Sequence, residues 1–128
     1  MAGKDQKPHR NLVAWQKGMD LVIEVYKLTQ DFPAGELYGL SSQLRRAALS
    51  VPSNIAEGAA DRTHAQFSHF LSNALGSLNE IDTQLELSFR LGFISETVYR
   101  QIGRLLDECL AVTCGLRKSV IAKPKRQI

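Results

Sequence analysis

Three histidines, two cysteines and a scatter of carboxylates are the side chains here best suited to metal or nucleophilic chemistry. Their spacing argues against both. His64 and His69 stand five apart, whereas two imidazoles share one helical face at a spacing of four. His9 is remote in sequence, and no histidine has a cysteine at ligand spacing. Di-iron bundles need Glu-x-x-His pairs, but Glu57, Glu80, Glu86 and Glu108 are none of them followed by His three residues later. Cys109 and Cys114 are also five apart. On a helix they face about 140° away from each other, too divergent to bridge. One small buried hydrophobe and one partly exposed thiol are expected. Ser50 and Ser53 lack a His–Asp partner pattern, and the nine glycines form no phosphate loop. A non-enzyme with no catalytic residue, metal or cofactor is therefore the expectation.

The least ordinary chemistry lies in one stripe. Gln43, Arg46, Ser50, Asn54 and Glu57 are spaced 3, 4, 4 and 3, so a helix places them on one side. Ser50 and Asn54 straddle Pro52 and can satisfy carbonyls freed by the proline. Arg46 and Glu57 could pair across a subunit interface. The stripe is thus a candidate oligomer interface or ligand contact. Candidate nucleic-acid contacts are Arg45, Arg46, Arg100, Arg104, Arg117 and Lys118, with Arg100 and Arg104 on one helical face. Aromatics are scarce, and none suits stacking on single-stranded bases.

Charge is segregated along the chain. The first ten residues carry three bases and one acid, the last twelve carry five bases and no acid, and the two ends together hold +7. Residues 11–116 hold eight bases against twelve acids, or −4. Basic ends favour salt-dependent attraction to nucleic acid or anionic lipid. No window approaches the ~20 apolar residues of a membrane span, and the start lacks the apolar run of a signal peptide. A cytoplasmic protein without a membrane partner is expected.

Four periodic stretches must position these groups. The first runs from about 11 to 31, with Asn11 as N-cap and Leu12, Trp15, Met19, Val22, Ile23 and Tyr26 as its apolar face. Phe32-Pro33 ends it. The second runs from between Tyr38 and Ser41 to about Ala60 and buries Leu40, Leu44, Ala47, Ala48, Val51 and Ile55. Pro52 should kink or locally open it. The third starts at a Thr63–Gln66 capping box, follows Phe67, Phe70, Leu71, Ala74, Leu75, Leu78, Ile81, Leu85 and Phe89, and stops at Gly92. The fourth starts after Ser95 and carries Val98, Ile102, Leu105, Leu106, Cys109, Leu110, Thr113, Leu116 and Val120. Short links make sequential helices antiparallel neighbours. The fold class expected is all-α: an antiparallel up-down-up-down four-helix bundle over residues 11–121. A flexible basic arm (1–10) and a basic tail (122–128) flank it.

Several runs carry a resemblance. They are Val13-Ala14-Trp15-Gln16-Lys17, Tyr38-Gly39-Leu40-Ser41-Ser42-Gln43-Leu44-Arg45-Arg46-Ala47, Ser50-Val51-Pro52-Ser53-Asn54-Ile55-Ala56-Glu57-Gly58 and Phe70-Leu71-Ser72-Asn73-Ala74-Leu75-Gly76-Ser77-Leu78-Asn79-Glu80. Over roughly residues 11–121 the chain resembles the bacterial four-helix-bundle family, also called the 23S ribosomal RNA intervening-sequence protein family. The resemblance implies a ring-shaped homopentamer. Some members are encoded inside insertions of ribosomal RNA genes, and many have no established function. Related accessory proteins of diversity-generating retroelements work with a reverse transcriptase and bind nucleic acid through a basic barrel; the −4 body of this chain departs from that pattern. Two roles are expected to compete: an RNA- or DNA-associated oligomer, and a scaffold for a polymerase or ribosomal protein partner.

Overall fold

A computed structural model describes residues 7–61 and 63–123. A short 3-10 helix, Pro8–Asn11, precedes four helices: α1 (Val13–Thr29), α2 (Leu40–Ala59), α3 (His64–Arg90) and α4 (Glu96–Ala122). No strand occurs among the described residues. Each helix packs on its two neighbours, α1 on α2 and α4, α3 on α2 and α4, and the backbones of the diagonal pairs stay farther apart. This is the expected four-helix bundle. Its core is built from Leu21, Leu44, Ile55, Leu71, Leu78, Ile81, Leu85 and Leu106, all essentially inaccessible. Of the flexible arm and the basic tail expected to flank the bundle, residues 1–6 and 124–128 lie outside the described residues.

The helix ends follow local chemistry. The Thr63 hydroxyl accepts from Gln66 N at 3.1 Å and the Ser95 hydroxyl from Val98 N at 3.2 Å, each satisfying a backbone donor that the helix leaves free. Gly92, with φ +80°, ends α3. Phe93 N donates to Ser88 O at 2.9 Å and Gly92 N to Phe89 O at 3.0 Å, the paired bonds of a Schellman stop. Asn11 is not the cap of α1: it closes the 3-10 helix, and Leu12 occupies the cap position.

The apolar face expected of α1 needs correction. α1 buries Ala14, Gly18, Leu21, Val25 and Thr29, while Met19 (39% exposed) and Ile23 (50%) face outward. The reason is close approach. A Cβ on Gly18 would sit 3.3 Å from Val51 Cγ1 and 3.6 Å from Pro52, so the small-residue side of α1 is drawn against α2. α2, expected to kink or open at Pro52, stays helical through it. Proline has no N–H to give the Ala48 carbonyl, and side chains bond carbonyls on either side of that one. Ser50 Oγ donates to Ala47 O at 2.8 Å, and Asn54 Nδ2 to Ser50 O at 2.7 Å.

Candidate functional site

The polar stripe on α2 lies along the seam with α3. Arg46 Nη2 donates to Gln43 Oε1 at 2.7 Å. The hydroxyls of Ser50 and Ser77 share a short hydrogen bond across the seam. Ser50 and Asn54 are half-buried and committed within the chain, whereas Gln43, Arg46 and Glu57 remain exposed. A partner on this face would therefore meet the two ends of the stripe more readily than its middle.

Arg45, next to the stripe, turns instead toward α1. Its Nε donates to Thr29 Oγ1 at 2.7 Å, its Nη2 to Tyr26 O at 3.3 Å, and its guanidinium lies 4.5 Å from the centre of the Tyr26 ring. These contacts place a cation over the last carbonyls of α1, where the helix dipole favours it. Thr29 Oγ1 passes its own proton to Val25 O at 2.7 Å. No carboxylate pairs with Arg45 or Arg46 among the described residues.

Two adjoining depressions, of about 450 and 340 Å³, share Leu37, Ser41 and Arg45 in their walls. The larger also takes in Tyr26, Tyr38, Arg46 and Leu49. Ser41 is 4% exposed, and its Oγ has no hydrogen-bond partner. Tyr38 is 91% exposed. Tyr38 lines the larger depression together with Arg45 and Arg46. Its position in a turn, outside any periodic stretch, hid this exposure.

The six candidate nucleic-acid residues fall into three places. Arg45 and Arg46 border the groove just described. Arg100 and Arg104 lie in the first half of α4. Arg100 is tied to Glu96 at 3.1 Å, and Arg100 and Arg104 line a depression with Asp82 and Asp107, so charge there is mixed. Arg117 and Lys118 lie near the end of α4, roughly 20 Å farther along at 1.5 Å per residue. Antiparallel packing brings that end to the start of α1, and the Lys17–Glu108 ion pair, 2.5 Å long, links the two helices. This pairing raises the Lys17 amine above its ordinary pKa.

Lys7, Arg10, Arg117, Lys118 and Lys123 thus lie toward the same end of the bundle, although the 3-10 helix packs on α1 and α2 and not on α4. Arg10 lies 5.2 Å from the Trp15 ring centre, and His9 packs on the same ring at 4.9 Å. Burial, then the nearby Arg10 and Lys7 charges, hold the His9 imidazole below its ordinary pKa. Buried Nε atoms of Arg10 and Arg117 have no hydrogen-bond partner. Nearby acids are fewer: Glu57 lies in the last turn of α2 and Asp61 just beyond it.

Reactive groups are dispersed. The histidines lie on the 3-10 helix and on α3, and no group of three or more metal-ligating side chains occurs among the described residues. Cys109 is buried, and burial pushes its thiol up to about 12, far from a thiolate at neutral pH. Cys114 is exposed. No helix among the described residues is long and apolar enough to cross a membrane.

Comparison with known proteins agrees with the fold. A protein of unknown function from the S23 ribosomal protein family of Bacteroides thetaiotaomicron has a similar structure: TM-score 0.77, 24% identity, covering 83% of this chain and 99% of the other. No curated protein matches. The 23S rRNA-intervening sequence protein family matches residues 10–115, most of the bundle from the 3-10 helix into the last turns of α4, and the chain belongs to that family.

Proposed function

We propose that this chain is a non-catalytic, self-associating cytoplasmic protein that holds nucleic acid at its basic end. One observation carries the reading. Bases from the two ends of the sequence, Lys7 and Arg10 with Arg117, Lys118 and Lys123, lie toward the end of the bundle where α1 begins and α4 finishes, while residues 11–116 carry −4. Such a cluster displaces counterions from phosphates and needs no base-specific contact. The kinship with accessory proteins of diversity-generating retroelements, suggested by the sequence runs, belongs to the same reading. Self-association is supported by the exposed apolar residues Met19 and Ile23 of α1 and Leu49 of α2, and the homopentamer is what the family resemblance implies.

Fluorescence anisotropy with a structured RNA tests the first part. Affinity should fall with salt, with a log–log slope of about −0.7 per phosphate for single strands or about −0.9 for duplex DNA. Arg117→Glu with Lys118→Glu should flatten that slope. No salt-dependent binding at micromolar protein removes the reading. Light scattering tests the second part: five copies of a 14.2 kDa chain are expected, and a monomer counts against it.

The same exposed apolar residues favour a second reading, a scaffold for a polymerase or ribosomal protein. A partner recovered reproducibly by wild type and lost with Ile23→Glu, while RNA affinity stays constant, would support it over the first.

A further inference from the structure

The groove where α1 ends and α2 begins has binding capacity that the bundle does not use. Arg45 is half-buried, with Nε and Nη2 engaged by Thr29 and Tyr26, yet no carboxylate neutralises it among the described residues. Arg46 lines the same groove and also lacks an acidic partner. A partly desolvated cation is best matched by an anion brought to it, and a guanidinium fork suits phosphate oxygens. The Ser41 hydroxyl is a second, independent sign. The side chain is 4% exposed, its oxygen is unpartnered, and Ser41 lines both depressions. Buried polar atoms are nearly always hydrogen-bonded, so a donor is held in reserve here. The groove lies at the first turn of a 20-residue helix, whose Leu40 N–H is already taken by Glu36 Oε1 at 3.0 Å. Tyr38, 91% exposed, completes it with an open aromatic face.

We infer that this groove is a nucleotide subsite for single-stranded nucleic acid. Arg45, Arg46 and Ser41 hold a phosphate, and Tyr38 stacks on the attached base. Phosphate is favoured over a carboxylate because two consecutive guanidiniums and a hydroxyl match an anion with several oxygens. The aromatic ring explains why the ligand carries a base. The inference rests on the proposal that the chain binds nucleic acid, and adds a contact remote from the basic end.

The test uses the full chain and a fluorescein-labelled ten-residue oligouridylate, followed by anisotropy, with light scattering on every variant. Tyr38 and Arg46 are exposed, so Tyr38→Ala and Arg46→Gln should fold normally. Each should weaken binding about tenfold or more, the scale of one stacked base or one lost phosphate contact, and Tyr38→Phe should restore it. Uridine monophosphate should compete better than inorganic phosphate. If both variants bind like wild type while Arg117→Glu with Lys118→Glu weakens binding, the subsite is wrong and the basic-end reading stands. If wild type binds no oligouridylate or structured RNA at any salt, both fail. If Tyr38→Ala lowers binding only by breaking assembly, the groove is a subunit contact and the inference is overturned.

Discussion

A Cβ added to Gly58 would lie 2.8 Å from the Cβ of Phe70 and 3.0 Å from Cδ1 of Phe67. The close crossing of α2 over the first turns of α3 depends on that missing atom. Alanine would gain up to about 1 kcal/mol of helix propensity. The Cβ of Phe70 cannot swing aside as a flexible tip could, so overpacking should dominate. Gly58→Ala is expected to destabilise the bundle by about 1–3 kcal/mol. Urea unfolding measures this, and an unchanged midpoint would mean that the helices separate at no cost.

The Arg45–Thr29 hydrogen bond joins α1 to α2 near one end of the bundle. Lysine keeps the charge but loses the planar fork that reaches Thr29 Oγ1, Tyr26 O and the Tyr26 ring together. Arg45→Lys should cost about 1–2 kcal/mol. A double-mutant cycle with Thr29→Val should return a coupling of at least about 0.5 kcal/mol. Strict additivity would show that the contact contributes nothing.

Much of this architecture was legible in the sequence because three helices carry one apolar stripe each. Leu44, Val51 and Ile55 of α2, Leu71, Leu78 and Ile81 of α3, and Leu106 and Cys109 of α4 are buried where their periodicity puts them. α1 misled because apolar residues surround most of it, among them Trp15, Met19, Leu21, Val22, Ile23 and Val25. Periodicity cannot choose between two such faces. Gly18 and Ala14 choose by permitting contact with α2, a tertiary effect with no hydropathy signal. The groove was half legible. Arg45, Arg46 and the stripe stood out by type and spacing, but the exposure of Tyr38 and the unpartnered Ser41 hydroxyl depend on how the link between α1 and α2 folds over its neighbours.

Cys109 gives the bundle a pH dependence at the alkaline side. Burial raises its thiol from about 9 in the unfolded chain to about 12 in the folded one. A raised pKa means that the folded state retains the proton longer. The stability contributed is whole below about pH 9 and lost as pH rises toward 12. Cys109→Ala should lose core packing at neutral pH and show a flatter decline above pH 9. Parallel curves would assign the alkaline loss to other groups. A thiol reagent at pH 8 should label Cys114 rapidly and Cys109 only on unfolding.

Two buried threonines predict opposite outcomes for one substitution. Thr29 Oγ1 donates to Val25 O and accepts from Arg45, so Thr29→Val strands a guanidinium donor and should destabilise by about 1–3 kcal/mol. Thr113 is fully buried in α4, and its Oγ1 has no partner. An unmatched hydroxyl in a core costs about 1–3 kcal/mol of desolvation. Valine keeps the β-branched shape and drops the hydroxyl. Thr113→Val should therefore stabilise the bundle by about 1 kcal/mol or more. Thr113→Ser keeps the unmatched oxygen and loses a buried methyl, so it should destabilise. Thermal unfolding of the three variants orders them Thr113→Val above wild type, with Thr113→Ser and Thr29→Val below. A destabilised Thr113→Val would show that the hydroxyl is hydrogen-bonded in solution, most simply to a buried water.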